Sequence, residues 1–337
     1  MSSFGIYTLA NDAVYDQLVA LLNSIEVNVS PDIPVCVIPY DERLERVKPE
    51  VDSRTNVTLF DNWDSIQRWE DFAQQVWAAH PQGRQKNAAR LVRVRKHAQR
   101  RYAAFDGSFD KFVVYDADSL AMKPLNNIYE KLEKYDFVFD DWEHKKTDSV
   151  AALKLSKIEE YGQFKAAEVR PKLHCSSFFG TKLGLLDETT LSNFIERLIN
   201  QREVEWINGV SEAFLFNYMT LRCDRPLYNF TLSPNGQDRT GNCADADPFV
   251  NIDNVLYNEQ GLKPIHRIHY MNYSASDFVR LCQGEDVNIC YKDIFLYYRF
   301  LKQPEQRPKT LKRPNQLTTM KRLLNKRLNQ VKKRISR

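Results

Sequence analysis

Apolar positions along this chain switch between two periods. Residues 4–9 (FGIYTL) form an apolar, β-rich run, and residues 13–27 then place Val14, Leu18, Leu21, Leu22 and Ile25 on one helical face. Asp12 stands between them as a candidate N-cap. Residues 33–40 (IPVCVIPY) are a short continuous apolar run, the pattern of a strand buried on both faces of a parallel sheet. Residues 56–60 predict a third strand, 63–79 and 86–104 two helices, and 111–115 (KFVVY) a fourth strand that stops abruptly at Asp116-Ala117-Asp118.

Strands alternating with helices predict βαβ units with right-handed crossovers, an α/β fold whose ligands bind at the carboxyl ends of the strands. The second half is more mixed. Strands are expected at 135–139, 175–181 and 265–270, and helices at 189–200, 209–221, 275–281 and 288–301. Residues 233–254 are turn-rich and read as one long loop. Pro304, Pro308 and Pro314 mark a linker, so the expected division is a domain over 1–303 and a tail over 304–337.

Charge sharpens that division. The net charge is +4, yet residues 305–337 carry twelve Lys or Arg against one Glu, a local +11 that leaves the first 304 residues at −7. In the tail, Leu317, Met320, Leu324, Leu328, Val331 and Ile335 recur at helical spacing among the basic residues. A basic amphipathic helix of this kind implies an anionic membrane surface as partner. The rivals are docking on the acidic body and nucleic acid, the latter disfavoured because no aromatic residue is interleaved. The start, MSSFGIYTLAND, has no basic stretch followed by an apolar run, and no apolar run is long enough to span a membrane, so a cytoplasmic location, peripheral on the inner membrane face, is the expectation. Six cysteines without zinc-type spacing are expected to be reduced and mostly buried.

The strongest chemical feature is Asp116-Ala117-Asp118. Residues i and i+2 of an extended chain point the same way, so both carboxylates converge at a strand's end. Two carboxylates placed together need a cation or donors, and oxygen ligands suit Mg²⁺ or Mn²⁺. The plainer alternative is one Asp capping the next helix and the other solvated.

The order FGIYTLAND, IPVCVIPYDE, a basic helix and FDKFVVYDADSLAMKPL resembles the GT-A nucleotide-sugar glycosyltransferases, nearest the glycogenin-like and lipopolysaccharide galactosyltransferase-like branch, over roughly residues 4–272. The resemblance implies a GT-A, Rossmann-like mixed and mostly parallel sheet flanked by helices. It implies a metal-dependent hexosyltransferase that moves a sugar from a nucleotide-diphosphate donor, uridine-based, to a saccharide or lipid-linked acceptor. Asp116 and Asp118 would hold Mn²⁺ or Mg²⁺ on the donor diphosphate, with His269 in IHRIHYMNY completing the metal shell. Strand geometry puts His266 and His269 on opposite faces, so only one of them can look into such a site.

By the same resemblance, Thr8, Asn11, Asp12 and Asp41 would hold the nucleotide. Arg90 would add a cation near the diphosphate, with Arg93 and Lys96 as neighbours on the basic helix. Ser176 and Ser177 in HCSSFFG would floor the sugar site. Glu212 in WINGVSEA would act on the acceptor hydroxyl or steady charge at the sugar's C1. This chain has Ser-Glu where that branch often has Asp-Gln. Asp140-Asp141-Trp142-Glu143 is a second acidic cluster, in which Trp142 could stack on a sugar, and Asp245 and Asp247 lie in the turn-rich loop. Each of these also has a plain reading as a cap, a packed small residue or a solvated charge. Two other functions stand beside the transferase: a sugar-phosphate nucleotidyltransferase, disfavoured because LANDAVYDQ has no Gly-rich phosphate loop, and a non-catalytic membrane tether.

Overall fold

The computed structural model describes residues 3–85, 96–234, 241–246, 248–259 and 261–314. Arg90, Arg93, Asp247 and residues 315–337 of the tail lie outside the described residues.

A seven-stranded sheet organises the chain. It is built from β1 (Phe4–Ala10), β2 (Val35–Pro39), β3 (Val57–Leu59), β4 (Lys111–Asp116), β6 (Phe137–Phe139), β7 (Phe178–Lys182) and β8 (Leu227–Asn229), in the order β3-β2-β1-β4-β7-β6-β8. β3, β2, β1 and β4 are mutually parallel, β7 runs antiparallel between β4 and β6, and β8 is parallel to β6. The short strand β5 (Ser119–Ala121) leaves this sheet and pairs antiparallel with β11 (Arg267–His269).

Side-chain alternation explains the three layers. On β1 and β4, Ile6, Val113 and Tyr115 pack with Leu18, Leu21 and Ile25 of the helix Tyr15–Asn28. Their neighbours Tyr7, Leu9, Phe112 and Val114 pack on the opposite face with Trp69, Phe72 and Trp77 of the helix Trp63–Ala79. Because both faces are covered, these strands read as unbroken apolar runs. Each fully buried large side chain contributes ~1.5–3 kcal/mol of transfer free energy, so the two layers secure the sheet from both sides. A third cluster joins β5 and β11 to the helices Ala275–Cys282 and Lys292–Arg299 through Leu120, Ile268, Tyr270, Phe278 and Phe295.

Several expectations shift. The segment 233–254 ends in a hairpin, β9 (Phe249–Ile252) and β10 (Val255–Asn258). Asp253 and Asn254 take φ of 51° and 66°, the backbone that a two-residue hairpin turn of matching twist requires. In the described part of the basic helix, residues 96–98 are α-helical and lead into a tight 3-10 segment, Gln99–Asp106, buried from Gln99 to Phe105. Asn11, and not Asp12, caps the turn after β1, its side chain accepting from the Ala13 N–H. Asp12 Oδ1 instead accepts from the backbone N–H groups of Arg46 and Val47, each at 3.0 Å. Past Pro304 the chain stays against the body: Lys312 donates its N–H to Gly284 O at 2.8 Å and accepts from Asp286 N at 2.9 Å. All six cysteines are free, Cys36 buried and Cys290 exposed. No helix among the described residues is long and apolar enough to cross a membrane.

Candidate metal centre

β4 pairs with β1 so that Asp116 lies beside Leu9 at the carboxyl edge of the sheet. The chain turns through Asp118 into β5, whose Ala121 is gripped by the helix Tyr15–Asn28: Ser24 Oγ accepts its N–H at 2.9 Å and Asn28 Nδ2 donates to its carbonyl at 2.8 Å. With β5 fixed, β11 aligns His269 opposite Ser119, and Tyr270 N donates to Asp118 O at 2.9 Å. His269 Nε2 therefore arrives 3.3 Å from Asp118 Oδ1 and 3.7 Å from Asp116 Oδ2. One ligand atom from each of these three residues lies within 4.8 Å of the others. Two carboxylate oxygens and an imidazole nitrogen suit a divalent ion such as Mn²⁺ or Mg²⁺, with positions left for further oxygen ligands.

Arg101 is the cation at this centre. It is buried, and its Nη1 lies 2.8 Å from Asp116 Oδ1 and 3.0 Å from Ser176 O. The preceding residues are pinned by buried Glu70, which takes Lys96 Nζ at 2.9 Å, His97 Nδ1 at 2.6 Å and Arg100 Nε at 2.6 Å. Lys96 is thereby tied to Glu70, and the cation brought to Asp116 is Arg101. Burial opposes the charge on Arg101, but the Asp116 and Glu212 carboxylates outweigh it and raise its pKa. Burial together with the Asp118 and Glu212 charges raises Asp116, against the pull of Arg101 and His269. For Asp118, burial is overcome by the facing His269 and by Arg267, and its carboxyl sits below the usual range.

A cavity of about 370 Å³ opens against this centre, walled by Asp116, Asp118, Arg101, Asn11, Tyr40 and Tyr273 among others. Asn11 Nδ2 donates to Asp41 Oδ2 at 2.9 Å, and Arg43 grips the same oxygen through Nε at 3.0 Å and Nη2 at 2.6 Å. Burial would raise Asp41, but the Arg43 and Asn11 bonds hold it below the carboxylate range. Glu212 begins the helix Glu212–Cys223, and its backbone carbonyl accepts from Tyr102 Oη at 3.2 Å. Its charge is among the causes that raise both Arg101 and Asp116, while the side chain is not among those walling the cavity.

Other residues singled out in the sequence sit apart from the cavity wall. Thr8 is fully buried within the sheet and its hydroxyl has no partner among the described residues. Asp12 is engaged with the 46–47 backbone. Ser176 and Ser177 are buried; Ser177 O accepts from Asp116 N at 2.9 Å and Ser177 Oγ from Arg267 at 2.8 Å. His266 turns to the opposite side from His269: Asn127 Nδ2 lies 2.8 Å from its Nε2, so Nδ1–H donates to Asp140 Oδ2 at 2.6 Å. Asp141 accepts from Glu143 N and Cys175 N, Trp142 is half-buried under Lys145 Nζ, and Asp245 accepts from Asn272.

Sequence reasoning missed Arg101, Arg43, Tyr40 and Tyr273. The signal for Arg101 was present in QRRYAAF, where a cation directly precedes an apolar aromatic run and must therefore enter the core with it.

The arrangement of this sheet and its flanking helices matches that of solved glycosyltransferases. The galactosyltransferase LgtC, solved with donor and acceptor sugar analogues, superposes over 88% of this chain and 95% of its own, with a TM-score of 0.50 at 12% identity. This chain has the GT-A fold. WbbM, a bifunctional glycosyltransferase in apo form, matches over 91% of this chain and 52% of its own at 11% identity and a TM-score of 0.48. Mouse xyloside xylosyltransferase 1, also apo, matches over 66% and 83% at 8% identity and a TM-score of 0.46. No protein-family model matches the chain, and no curated protein matches it in sequence.

Proposed function

We propose that this GT-A chain is a metal-dependent glycosyltransferase that takes a nucleotide-diphosphate sugar, uridine-based, and transfers its hexosyl group to a saccharide or lipid-linked acceptor. The observation that carries the reading is the Asp116, Asp118 and His269 cluster, whose ligand atoms lie within 4.8 Å of one another and whose two aspartates wall a cavity at the sheet's carboxyl edge. LgtC shares the fold and is a galactosyltransferase captured with donor and acceptor sugar analogues.

In this reading Asp116, Asp118 and His269 hold Mn²⁺ or Mg²⁺. Bound there, the ion supplies Lewis-acid neutralisation of the leaving diphosphate. Arg101 adds a fixed positive charge beside the same oxygens, preorganised by Ser176 O and Asp116. Asn11, Asp41 and Tyr40 receive the nucleoside end of the cavity. Glu212, at a helix start, accepts the proton of the acceptor hydroxyl or steadies positive charge at the sugar's C1. Ser176 and Ser177 support the floor of the sugar site, and Thr8 and Asp12 support the nucleotide loop from behind. Arg90 belongs to the same proposal as a further cation near the diphosphate. The basic residues 305–337 bring the enzyme to anionic lipid on the cytoplasmic membrane face, where a lipid-linked acceptor would be presented.

Thermal-shift titration of the full chain with Mn²⁺, uridine diphosphate and both together tests the reading. A ligand that binds the native state raises the melting temperature by mass action, so a shift with both present is expected. No response to either, alone or combined, overturns it.

A further inference from the structure

The turn after β2 presents a guanidinium, Arg43, to the cavity in place of the Asp41 carboxylate. Asp41 Oδ1 accepts the Arg43 N–H at 3.1 Å, the bond of an Asx turn, and Arg43 O accepts the Asp12 N–H at 2.9 Å, so the residue is pinned on both sides. Asp41 Oδ2 then takes Asn11 Nδ2 at 2.9 Å, Arg43 Nε at 3.0 Å and Arg43 Nη2 at 2.6 Å. The carboxylate is occupied by these bonds, and among the described residues it is Arg43, and not Asp41, that walls the cavity. A guanidinium is a rigid planar fork. With Nε and one N–H of Nη2 held by Asp41, the end formed by Nη1 and the other N–H of Nη2 is left for a ligand, on a side chain that is 61% exposed.

We propose that Arg43 selects the nucleobase: its outer fork favours a base with a carbonyl oxygen at the ring edge opposite the ribose, C4 of a pyrimidine or C6 of a purine, over one with an amino group there.

Sheet order supports the placement. Arg43 follows β2 and Asp116 ends β4, with β1 between them. Two strand spacings separate the two ends, roughly 10 Å, about the span of a nucleoside beyond its phosphate. A diphosphate at Asp116 and Asp118 therefore sends its base along the cavity toward Arg43. Ribose is attached on one side of the ring, so the opposite edge is the one that arrives. Uracil carries O4 there, and guanine carries O6 beside N7, all of them acceptors. Cytosine and adenine carry an amino group, whose N–H bonds would face those of the fork. The acceptors close to the turn are engaged: Asn11 Oδ1 accepts from Ala13 N at 3.1 Å, and Glu42 Oε1 lies 3.3 Å from Arg100 Nη2. Gln17 Oε1, buried and without a partner among the described residues, also belongs to the cavity wall, but it comes from the helix Tyr15–Asn28 and not from this turn.

The inference rests on the nucleotide reading above, and a panel of diphosphates separates the two. Calorimetry on the full chain with Mn²⁺ compares uridine with cytidine diphosphate and guanosine with adenosine diphosphate, so ring size is constant within each pair. In each pair the carbonyl base should bind ~10-fold more tightly, and the pyrimidine pair decides if neither purine binds. Arg43→Leu, at an exposed position outside the core, should bring the members of a pair within ~3-fold of each other. Arg43→Lys keeps the charge and loses the fork, so it should lose most of the selectivity too. Gln17→Leu should keep the parental ratio. Parental selectivity in Arg43→Leu overturns the inference, as does selectivity lost only in Gln17→Leu, which would assign the recognition to that amide. Full selectivity in Arg43→Lys overturns the fork. Equal binding within each pair by the unmodified chain overturns the inference and leaves the nucleotide reading standing. If the unmodified chain binds no diphosphate, the nucleotide reading falls and this inference with it.

Discussion

His269 Nε2 stands 3.3 Å from Asp118 Oδ1 although the two residues come from opposite halves of the chain. The link is a three-residue ladder. β5 departs from the main sheet directly after Asp118, and β11 aligns His269 with Ser119, next to that aspartate. The backbone bond from Tyr270 N to Asp118 O, 2.9 Å, closes the arrangement. The centre is thus assembled by strand pairing, and the long segment before β9 adds to it: His269 N donates to Asn242 O at 2.6 Å and Ala244 N to His269 O at 2.9 Å.

Asp118→Ala should remove Mn²⁺-dependent binding of uridine diphosphate and leave the fold intact. Asp118 is half-buried at a strand end and packs in no core cluster, so its loss opens no cavity. Loss of an outer partner typically weakens metal affinity ~10–100-fold, so loss of a direct ligand should exceed ~100-fold. Calorimetry with Mn²⁺ present measures it, and equal affinity in variant and parent would remove Asp118 from the metal shell.

Glu212→Gln should lower turnover far more than donor affinity. The side chain starts a helix, where a carboxylate is favoured and its charge is felt by Arg101 and Asp116. Losing a general base costs ~10²–10⁴-fold in rate. Steady-state kinetics and donor calorimetry on the same preparation separate the two effects. Parental transfer and parental donor hydrolysis together would show that Glu212 is not catalytic.

The aspartate pair was legible because an apolar strand, KFVVY, runs straight into it, but the strand ends at Asp116 and it is the turn at Ala117-Asp118, not strand alternation, that brings both carboxylates to the same place. The parallel half of the sheet was legible for a related reason: strands covered on both faces leave unbroken apolar runs. The three residues of β5 could not be read, since so short a strand carries no period, and its support comes from Ser24 and Asn28 far upstream. The β9–β10 hairpin hid in a polar stretch because its strands are largely exposed, yet Asp253-Asn254 was a usable turn signal. Arg101 was masked by the many cations around it. What distinguishes it is burial, which depends on Glu70 capturing Lys96, His97 and Arg100 just before it.

His174 should make the protein acid-sensitive. Its ring is fully buried, stacked on Phe139 at 3.7 Å between centroids. Thr220 Oγ1 already donates to Asn217 O, so it accepts from Nε2–H at 2.6 Å and the ring is neutral with Nδ1 bare. Burial lowers its pKa from 6.5 to about 3. Between these values the unfolded chain binds the extra proton, so stability is full above pH ~6.5 and is lost as pH falls toward ~3, at about 1.4 kcal/mol per pH unit. His174→Phe keeps a stacked ring and should flatten that slope by about one proton. Urea unfolding at a series of pH values between 7 and 4 measures it, and parallel slopes in variant and parent would sink the assignment.

The tail prediction depends on where the body ends. Leu311 packs against the third core cluster and Lys312 bonds Gly284 and Asp286, so a truncation at 305 strips supports from the helices Ala275–Cys282 and Lys292–Arg299. A truncation after residue 314 keeps those contacts and removes most of the basic residues. It should leave the body folded and able to bind donor. It should also sharply reduce sedimentation with vesicles of anionic lipid, because each basic residue near such a surface contributes ~1 kcal/mol. That binding should weaken as salt shortens the screening length, and neutral vesicles should recruit the full chain poorly, since six apolar residues alone cannot hold so cationic a segment down. Unchanged binding after truncation would mean the tail is not the anchor. An unfolded body would mean that the segment beyond 314 serves folding, and the acidic surface of the body its docking partner.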